Sequence, residues 1–158
     1  MRERREASDD AVMTRIGQAV MLLHGGDREE ARNRFGALWT EIGETGDPLH
    51  RCTLAHYMAD TQDDPGDELA WDLRALTVAD GIGGGERSVR GGGGPAVRAF
   101  YPALHLNLAA DYMKLQRPDA ARLHLDRARE AADAVGECGY GQGVRAGIDR
   151  LERRLREG

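Results

Sequence analysis

The chain has 158 residues and a formal net charge of −5, with 41% hydrophobic, 31% charged and 5% aromatic residues. A chain of this length can bury its own core as one domain, and its abundant Ala, Leu, Arg and Glu favour helices over sheets. The acidic balance argues against a nucleic-acid binder, which needs a basic face for phosphates.

A first pair of helices is predicted near the N-terminus. Residues 1–7 are charged and are expected to be frayed or disordered, whereas Ser8–Asp10 offers N-caps for a helix that begins near Ala11. A glycine pair ends this helix, and Asp27-x-x-Glu30 has the spacing of a capping box for the next one. Apolar residues recur at helical spacing in both helices, so each is predicted to bury one face.

A second pair is predicted between Asp47 and residue 80. Asp47-Pro48 places an N-cap before a first-turn proline, which is the order expected at a helix start. Residues 62–65 break that helix, and Pro65-Gly66-Asp67 opens the following one. The apolar face of the second helix is broad, so its register stays open.

A glycine-rich segment runs from Gly81 to Pro95. Eight of its fifteen residues are glycine, and ordering such a backbone costs more conformational entropy than a helix could return. We expect a flexible insertion inside one domain rather than a boundary between two domains.

The stretch Pro102–Val135 predicts a helical hairpin whose first helix begins near Ala96. Pro118 suits the first turn of its second helix, because proline has no N–H to leave unpaired there. A last amphipathic helix is predicted over 140–157, with its clearest pattern from Gln142 to Arg156. No stretch predicts a strand. The expected fold is a single all-α domain over 1–158, with two helix pairs in 8–80, the insertion at 81–95, a third pair in 96–135 and the final helix.

Two of these pairs share one spacing plan. Ala31-x-x-x-Phe35-x-x-Leu38 in the first pair corresponds to Ala121-x-x-x-Leu125-x-x-Ala128 in the third. In the helices that precede them, Ala19-x-x-Leu22 corresponds to Ala109-x-x-Tyr112. Small residues let the two helices of a pair approach closely, and the large residues fill the space beside the crossing.

This plan resembles the tetratricopeptide repeat, a helix–turn–helix unit of about 34 residues. The resemblance covers about two-thirds of the chain, and Leu108-Ala109-x-x-Tyr112 with the pattern from Ala121 follows the family's spacing closely. The first pair departs from it, with Gln18 where an apolar residue is usual and Leu38 where a small one is usual. The middle pair departs most, and the glycine-rich insertion interrupts the period.

The resemblance implies antiparallel helix pairs stacked as a short solenoid, with a groove lined by the first helix of each pair and a capping helix at the C-terminal end. It implies no catalytic residue. The positions expected to face the groove are Met13, Ile16, Val20, Leu23, Leu49, Cys52, His56, Ala103, Leu106, Ala110, Met113 and Lys114.

These positions are mostly apolar, so we expect an apolar helix or extended segment of a partner protein as the ligand, or a second copy of the chain. Packing of the same residues against one another is the competing interpretation. The expected function is that of a non-enzymatic scaffold or adaptor. The alternative is a peptide or small-molecule sensor in which the glycine-rich segment forms a lid.

The sequence gives little evidence for a metal site, a phosphate-binding loop or a catalytic site. His50, Cys52 and His56 share a helix but lack the i, i+4 spacing of a metal pair, and no CxxC motif occurs. The Gly81-x-Gly83-x-Gly85 run lacks the features of a phosphate loop. We therefore expect no catalytic residue, cofactor or metal. The chain shows no apolar stretch long enough for a membrane span or leader, so a cytoplasmic protein with neither membrane nor nucleic-acid partners is expected.

Overall fold

The computed structural model describes the backbone of residues 2–83, 94–135 and 139–157, and the side chains of residues 11–81, 100–134 and 143–157. Within those ranges the protein is all-α, as predicted, with seven helices and no strand. The helices are α1 (Arg2–His24), α2 (Arg28–Ile42), α3 (Pro48–Asp60), α4 (Pro65–Gly83), α5 (Gly94–Lys114), α6 (Pro118–Val135) and α7 (Gly139–Glu157). None of them, within the described ranges, is long and apolar enough to cross a membrane.

Helix α1 begins earlier than the sequence predicts, at Arg2 rather than near Ala11. Arg, Glu and Ala dominate residues 2–7, and all three have high helix propensity. Extending an existing helix adds one hydrogen bond for each residue fixed, so a helix nucleated further along the chain propagates through them. The residues interpreted as N-caps, Ser8–Asp10, therefore lie inside the helix.

The ends of the glycine-rich segment are also helical, contrary to the prediction of a flexible segment from Gly81 to Pro95. Gly81-Ile82-Gly83 continues α4, and Gly94-Pro95 begins α5. The start of α5 is explained by Pro95, because proline is favoured in the first turn of a helix. Helix α4 extends to Gly83 because adding a residue to an existing helix forms a further hydrogen bond. Residues 84–93, which hold the rest of that prediction, lie outside the described residues.

The turns of the first and third pairs share one hydrogen-bond pattern. The N–H of Asp27 donates to the carbonyl of Leu22 at 2.9 Å, and the N–H of Arg117 donates to the carbonyl of Tyr112 at 2.8 Å. Each is the long-range bond of a Schellman helix end, and the following helices begin at equivalent positions. The backbone thus repeats the correspondence that the sequence predicts for these two pairs.

The residue in the left-handed conformation differs between these two turns. It is Gly26 in the first, with φ of 95°, and Gln116 in the second, with φ of 58°. Glycine adopts this conformation without a steric penalty, whereas glutamine is strained there. As the capping-box spacing predicts, Asp27 Oδ1 accepts a hydrogen bond from the N–H of Glu30 at 3.4 Å.

The helix pairs pack in chain order. Helices α1, α3 and α5, which we call the first-helix layer, are neighbours, since α1 contacts α3 and Asn107 of α5 reaches His56 of α3. On α2 and α4, Trp39 meets Trp71 edge to face, with ring centroids 5.2 Å apart. Helix α7 packs against both α5 and α6 and so covers the end of the third pair.

Three clusters of buried apolar side chains join these helices. The first cluster includes Phe35 of α2 and Leu54 of α3. The second includes Ala75 of α4 and Leu104 of α5, and the third joins Ile148 of α7 to α5 and α6. Full burial of a large apolar side chain contributes roughly 1.5–3 kcal/mol, so these clusters hold the stack together.

Arginine side chains of α2 tie the first pair to the second. Arg32 donates to the carbonyl of Thr61 from Nε at 3.0 Å and from Nη2 at 2.7 Å. Arg28 donates to the carbonyl of Gln62 at 3.0 Å. These bonds satisfy carbonyls at the C-terminal end of α3, where the partial negative charge of the helix favours a cation.

Candidate partner-binding face

The predicted apolar groove residues of the first two pairs are buried or half-buried, apart from Met13. Ile16 is 2% exposed and Cys52 is fully buried, so neither can contact a partner, contrary to the prediction. Val20 and Leu23 pack against the first core cluster and Leu49 against the second. The physical reason is that Ile16 packs in a cluster with α2 and α3, and Cys52 in a cluster with α4 and α5. A spacing pattern alone cannot reveal such contacts.

The predicted groove residues of the third pair are half-buried beneath α7. Ala103, Leu106, Ala110 and Met113 all pack against the cluster that includes Ile148. Leu106 lies so close to α7 that a Cβ built on Gly147 would stand 2.7 Å from its Cδ2 atom. A partner segment therefore does not find an open apolar surface at these four positions.

Met13, Lys114 and His56 are the predicted groove residues that lie outside these apolar contacts. Met13 is exposed at 43%, and Lys114 is also exposed. His56 is half-buried, with its ring 6.2 Å from that of Phe100. His56 Nδ1 lies 3.1 Å from the side-chain Nδ2 of Asn107 on α5. Of these three residues, His56 and Lys114 both lie near Asp60, and both are polar.

Four carboxylic acids converge on the side of the first-helix layer where these polar residues lie. They are Asp60 of α3, Glu68 and Asp72 of α4, and Asp111 of α5, and we call them the carboxylate cluster. Helical spacing positions them, because residues four apart on one helix share a face, as Glu68 and Asp72 do. Lys114 follows Asp111 by three residues and joins the same face.

Lys114 is the cation paired within this cluster. Its Nζ lies 2.7 Å from Oε1 of Glu68, and this hydrogen bond raises the pKa of the lysine, with Asp111 and Asp72 adding to the effect. The glutamate side chain is 17% exposed and the lysine side chain 54% exposed. The carboxylate of this ion pair is therefore mostly shielded from solvent, whereas the ammonium group is accessible.

Asp72 and Asp111 form a buried acid pair, and each is 2% exposed. Burial, reinforced by a hydrogen bond with Asp111, raises the pKa of Asp72 to about 11. Burial also raises the pKa of Asp111, to about 6, although its bond with Asp72 acts in the opposite direction. At neutral pH Asp72 therefore keeps its proton and donates it in a hydrogen bond to an ionised Asp111.

The hydrogen bond of this buried pair depends on the proton that Asp72 keeps. Among the described residues no N–H or hydroxyl group donates to Asp72 Oδ1 or Asp111 Oδ2. A buried polar atom without a partner costs about 1–3 kcal/mol, so the proton between the two acids is what allows the pair to stay buried.

His56 and Asp60 sit one helical turn apart at the edge of the cluster. Burial lowers the pKa of His56, and the charge of Asp60 only partly offsets this, so the imidazole is neutral at pH 7. Loss of hydration raises the pKa of Asp60 more than the neighbouring His56 lowers it. Among the described residues, Lys114 is the cation that forms an ion pair with this cluster.

This arrangement can accept hydrogen bonds from a cationic side chain. Among the described residues, no group of three or more His, Cys, Asp or Glu side chains is arranged to hold a metal ion. An incoming guanidinium or ammonium group would meet carboxylates that accept several hydrogen bonds, and charge-assisted bonds of this kind are stronger than neutral ones.

Sequence reasoning did not identify Glu68, Asp72, Asn107 or Asp111. The signal that could have found them is a polar residue at i, i+4 spacing on the broad apolar face of α4, and again at 107 and 111 on α5. Asp72 stands between two large apolar residues in the sequence, Trp71 and Leu73. An aspartate that becomes fully buried is uncommon unless it is paired.

Comparisons with protein-family models, with curated proteins and with solved structures identify no match to this chain.

Proposed function

We propose that the protein is a non-enzymatic interaction module whose first-helix layer binds a segment of a partner protein through a cationic side chain. The observation that carries this proposal is the carboxylate cluster, in which Asp60 is exposed and Glu68 is half-buried beside the buried pair of Asp72 and Asp111. It replaces the expectation of an apolar ligand, because the apolar positions on this layer are already packed against other helices.

The binding step uses Lys114 as an internal cation that a partner can displace. Lys114 is half-exposed, and its long side chain can leave Glu68 for solvent at little cost, since an exposed ion pair is worth only about 0–1 kcal/mol. An arginine from the partner then pairs with Glu68 and with the exposed Asp60. A guanidinium can donate two parallel hydrogen bonds to a carboxylate, whereas the ammonium of Lys114 acts as a point charge, so this exchange favours the bound state.

Short fluorescent peptides of identical backbone, each with a central Arg, Gln or Glu, test this proposal by fluorescence polarisation. The Arg peptide should bind at least about tenfold more tightly than the Gln peptide, and the Glu peptide should bind worst. The double variant Asp60→Asn, Glu68→Gln should abolish the difference. Asp126→Asn, Glu130→Gln makes the same charge change on the exposed face of α6 and should preserve it.

Two outcomes count against the proposal. One is binding that does not distinguish the Arg peptide from the Glu peptide. The other is an equal loss of binding in the cluster variant and in the α6 control. Light scattering at two protein concentrations tells whether a second copy of the chain is the occupant, in which case the mass doubles and the cluster variant restores the monomer.

We include a cytoplasmic location in this proposal. Cys52 is a free thiol buried in α3, and free buried cysteines are usual in proteins of reducing compartments. Nucleic acid is not proposed as a partner, because the carboxylate cluster would repel phosphates. Cell fractionation with an antibody to the chain tests the location, and recovery in a membrane pellet or in the medium would contradict it.

A further inference from the structure

A second cleft lies between α2 and α4, away from the carboxylate cluster, and the first turn of α3 contributes to it. It has a volume of about 590 Å³ and opens to solvent. Binding sites for small molecules usually enclose about 300–1,000 Å³, so the cleft is large enough for one. Its walls include Trp39, Arg51, Leu73, Arg74 and Val78, and we call it the tryptophan cleft.

The apolar part of this cleft is preformed. Trp39 lines it and is held from behind by Trp71, whose ring meets it at an interplanar angle of 85°. Leu73 is 38% exposed at its wall. A ligand with an apolar body would cover this surface and remove it from water.

Two guanidinium groups give the cleft its charge. The Cζ atom of Arg51 lies 5.3 Å from the ring centroid of Trp39, and that of Arg74 lies 4.4 Å from the ring centroid of Trp71. Among the described side chains, neither arginine forms an ion pair. Glu44 is the acid in the lining, so the cleft has one more cation than anion.

Stacking on the indole rings holds both guanidiniums near the cleft before any ligand arrives. A group that is already ordered loses less conformational entropy on binding, so its hydrogen bonds contribute more to affinity. Arginine also presents a planar fork that matches a carboxylate with two parallel hydrogen bonds.

We propose that the tryptophan cleft binds an organic anion with an apolar body, of which an alkyl carboxylate is the simplest case. The acid group pairs with Arg51 and Arg74, and the apolar body lies against Trp39 and Leu73. This site lies apart from the carboxylate cluster and does not depend on the function proposed above.

Intrinsic fluorescence gives a direct test, because both tryptophans of the chain belong to this region. Octanoate, octylammonium and 1-octanol share one alkyl chain and differ in charge, and each is titrated into the wild-type protein. Octanoate should change the tryptophan emission in a saturable way and bind at least about tenfold more tightly than the other two.

Variants assign the effect to the arginines. Arg51→Gln, Arg74→Gln should weaken octanoate binding about tenfold or more, and Arg51→Lys, Arg74→Lys should recover part of it, because charge is kept and the fork is lost. Arg154→Gln on the exposed face of α7 serves as the control and should bind like the wild type. Circular dichroism establishes that each variant is folded.

The proposal is overturned if octanol binds as tightly as octanoate, since charge then plays no part. It is also overturned if folded Gln variants bind octanoate with unchanged affinity. A tryptophan emission that shows no saturable change up to about 10 mM octanoate would overturn it as well, because the binding free energy would then be weaker than about 3 kcal/mol.

Discussion

Asp72→Asn should stabilise the protein at neutral pH, because it removes the need to keep a carboxyl group protonated inside the fold. The pKa of Asp72 rises from its ordinary 3.8 to about 11 through burial and the bond with Asp111. In the unfolded chain the same carboxyl group loses its proton near pH 4. Between these two pKa values the folded state binds more protons than the unfolded state, so stability falls as the pH rises.

The size of this effect follows from the pH interval. Each pH unit above the ordinary pKa lowers the free energy of unfolding by about 1.4 kcal/mol, which amounts to about 4 kcal/mol between pH 4 and pH 7. Asparagine does not titrate, and its amide N–H can replace the proton that Asp72 donates to Asp111. We therefore expect Asp72→Asn to be more stable than the wild type by about 2–4 kcal/mol at pH 7 and nearly equal to it at pH 4.

Urea denaturation followed by circular dichroism at a series of pH values between 4 and 8 measures this difference. Asp126→Asn, an exposed carboxyl on α6, is the matched control and should change stability by less than about 0.5 kcal/mol at every pH. A variant at position 72 that is less stable than the wild type at pH 7 would refute the reasoning. A gain that does not depend on pH would refute it too, since the linkage requires the gain to grow with pH.

Three further predictions concern other parts of the fold. Arg32→Ala should lower the free energy of unfolding by about 2 kcal/mol in urea denaturation, because it removes both side-chain hydrogen bonds to the carbonyl of Thr61. Arg34→Ala removes only an exposed ion pair and should cost under about 0.5 kcal/mol, so equal losses would contradict this reasoning. Gly143→Ala should raise the thermal midpoint, with an increase of about 0.5–1 kcal/mol in stability, because a Cβ there meets open space. Gly147→Ala should gain less or lose stability, because its Cβ would stand 2.7 Å from a leucine of α5. An equal gain in the two variants would show that α7 does not pack so closely against α5. Burial and the neighbouring histidine of α6 lower the pKa of His105 from its ordinary 6.5 to about 4. The unfolded state therefore binds the proton first, and stability is lost as the pH falls from about 6.5 to 4. His105→Gln should reduce this dependence of the free energy of unfolding on pH, and an unchanged dependence would assign the loss in acid to other groups.

The helices themselves were largely predictable from the sequence. The starts of α3, α4 and α6 follow from Asp47-Pro48, Pro65 and Pro118, since capping and proline geometry act over a few neighbouring residues. The start of α1 was predicted wrongly, because the same local rules allow both a cap at Ser8–Asp10 and a longer helix. The repeat of the first and third pairs was predictable for the same local reason, as their turns share spacing and hydrogen bonds.

The candidate site was less predictable, because its properties depend on residues far apart in the chain. His56 and Lys114 were predicted to lie on one face, and both border the carboxylate cluster. The apolar positions Ile16, Cys52 and Leu106 were predicted to contact a partner, but neighbouring helices cover them. Helical periodicity tells which side chains share a face and not which helix that face will meet.

The sequence by itself determined that this protein consists of helices paired by short turns, because helix propensity, capping and periodicity are local properties of the chain. Only the tertiary structure decided which of those faces remain open and what charge they carry. Asp72 is an ordinary acid in the sequence and a protonated one in the fold, because packing of α4 against α5 removes water from it and sets Asp111 beside it. Desolvation of this kind arises only when helices from distant parts of the chain meet.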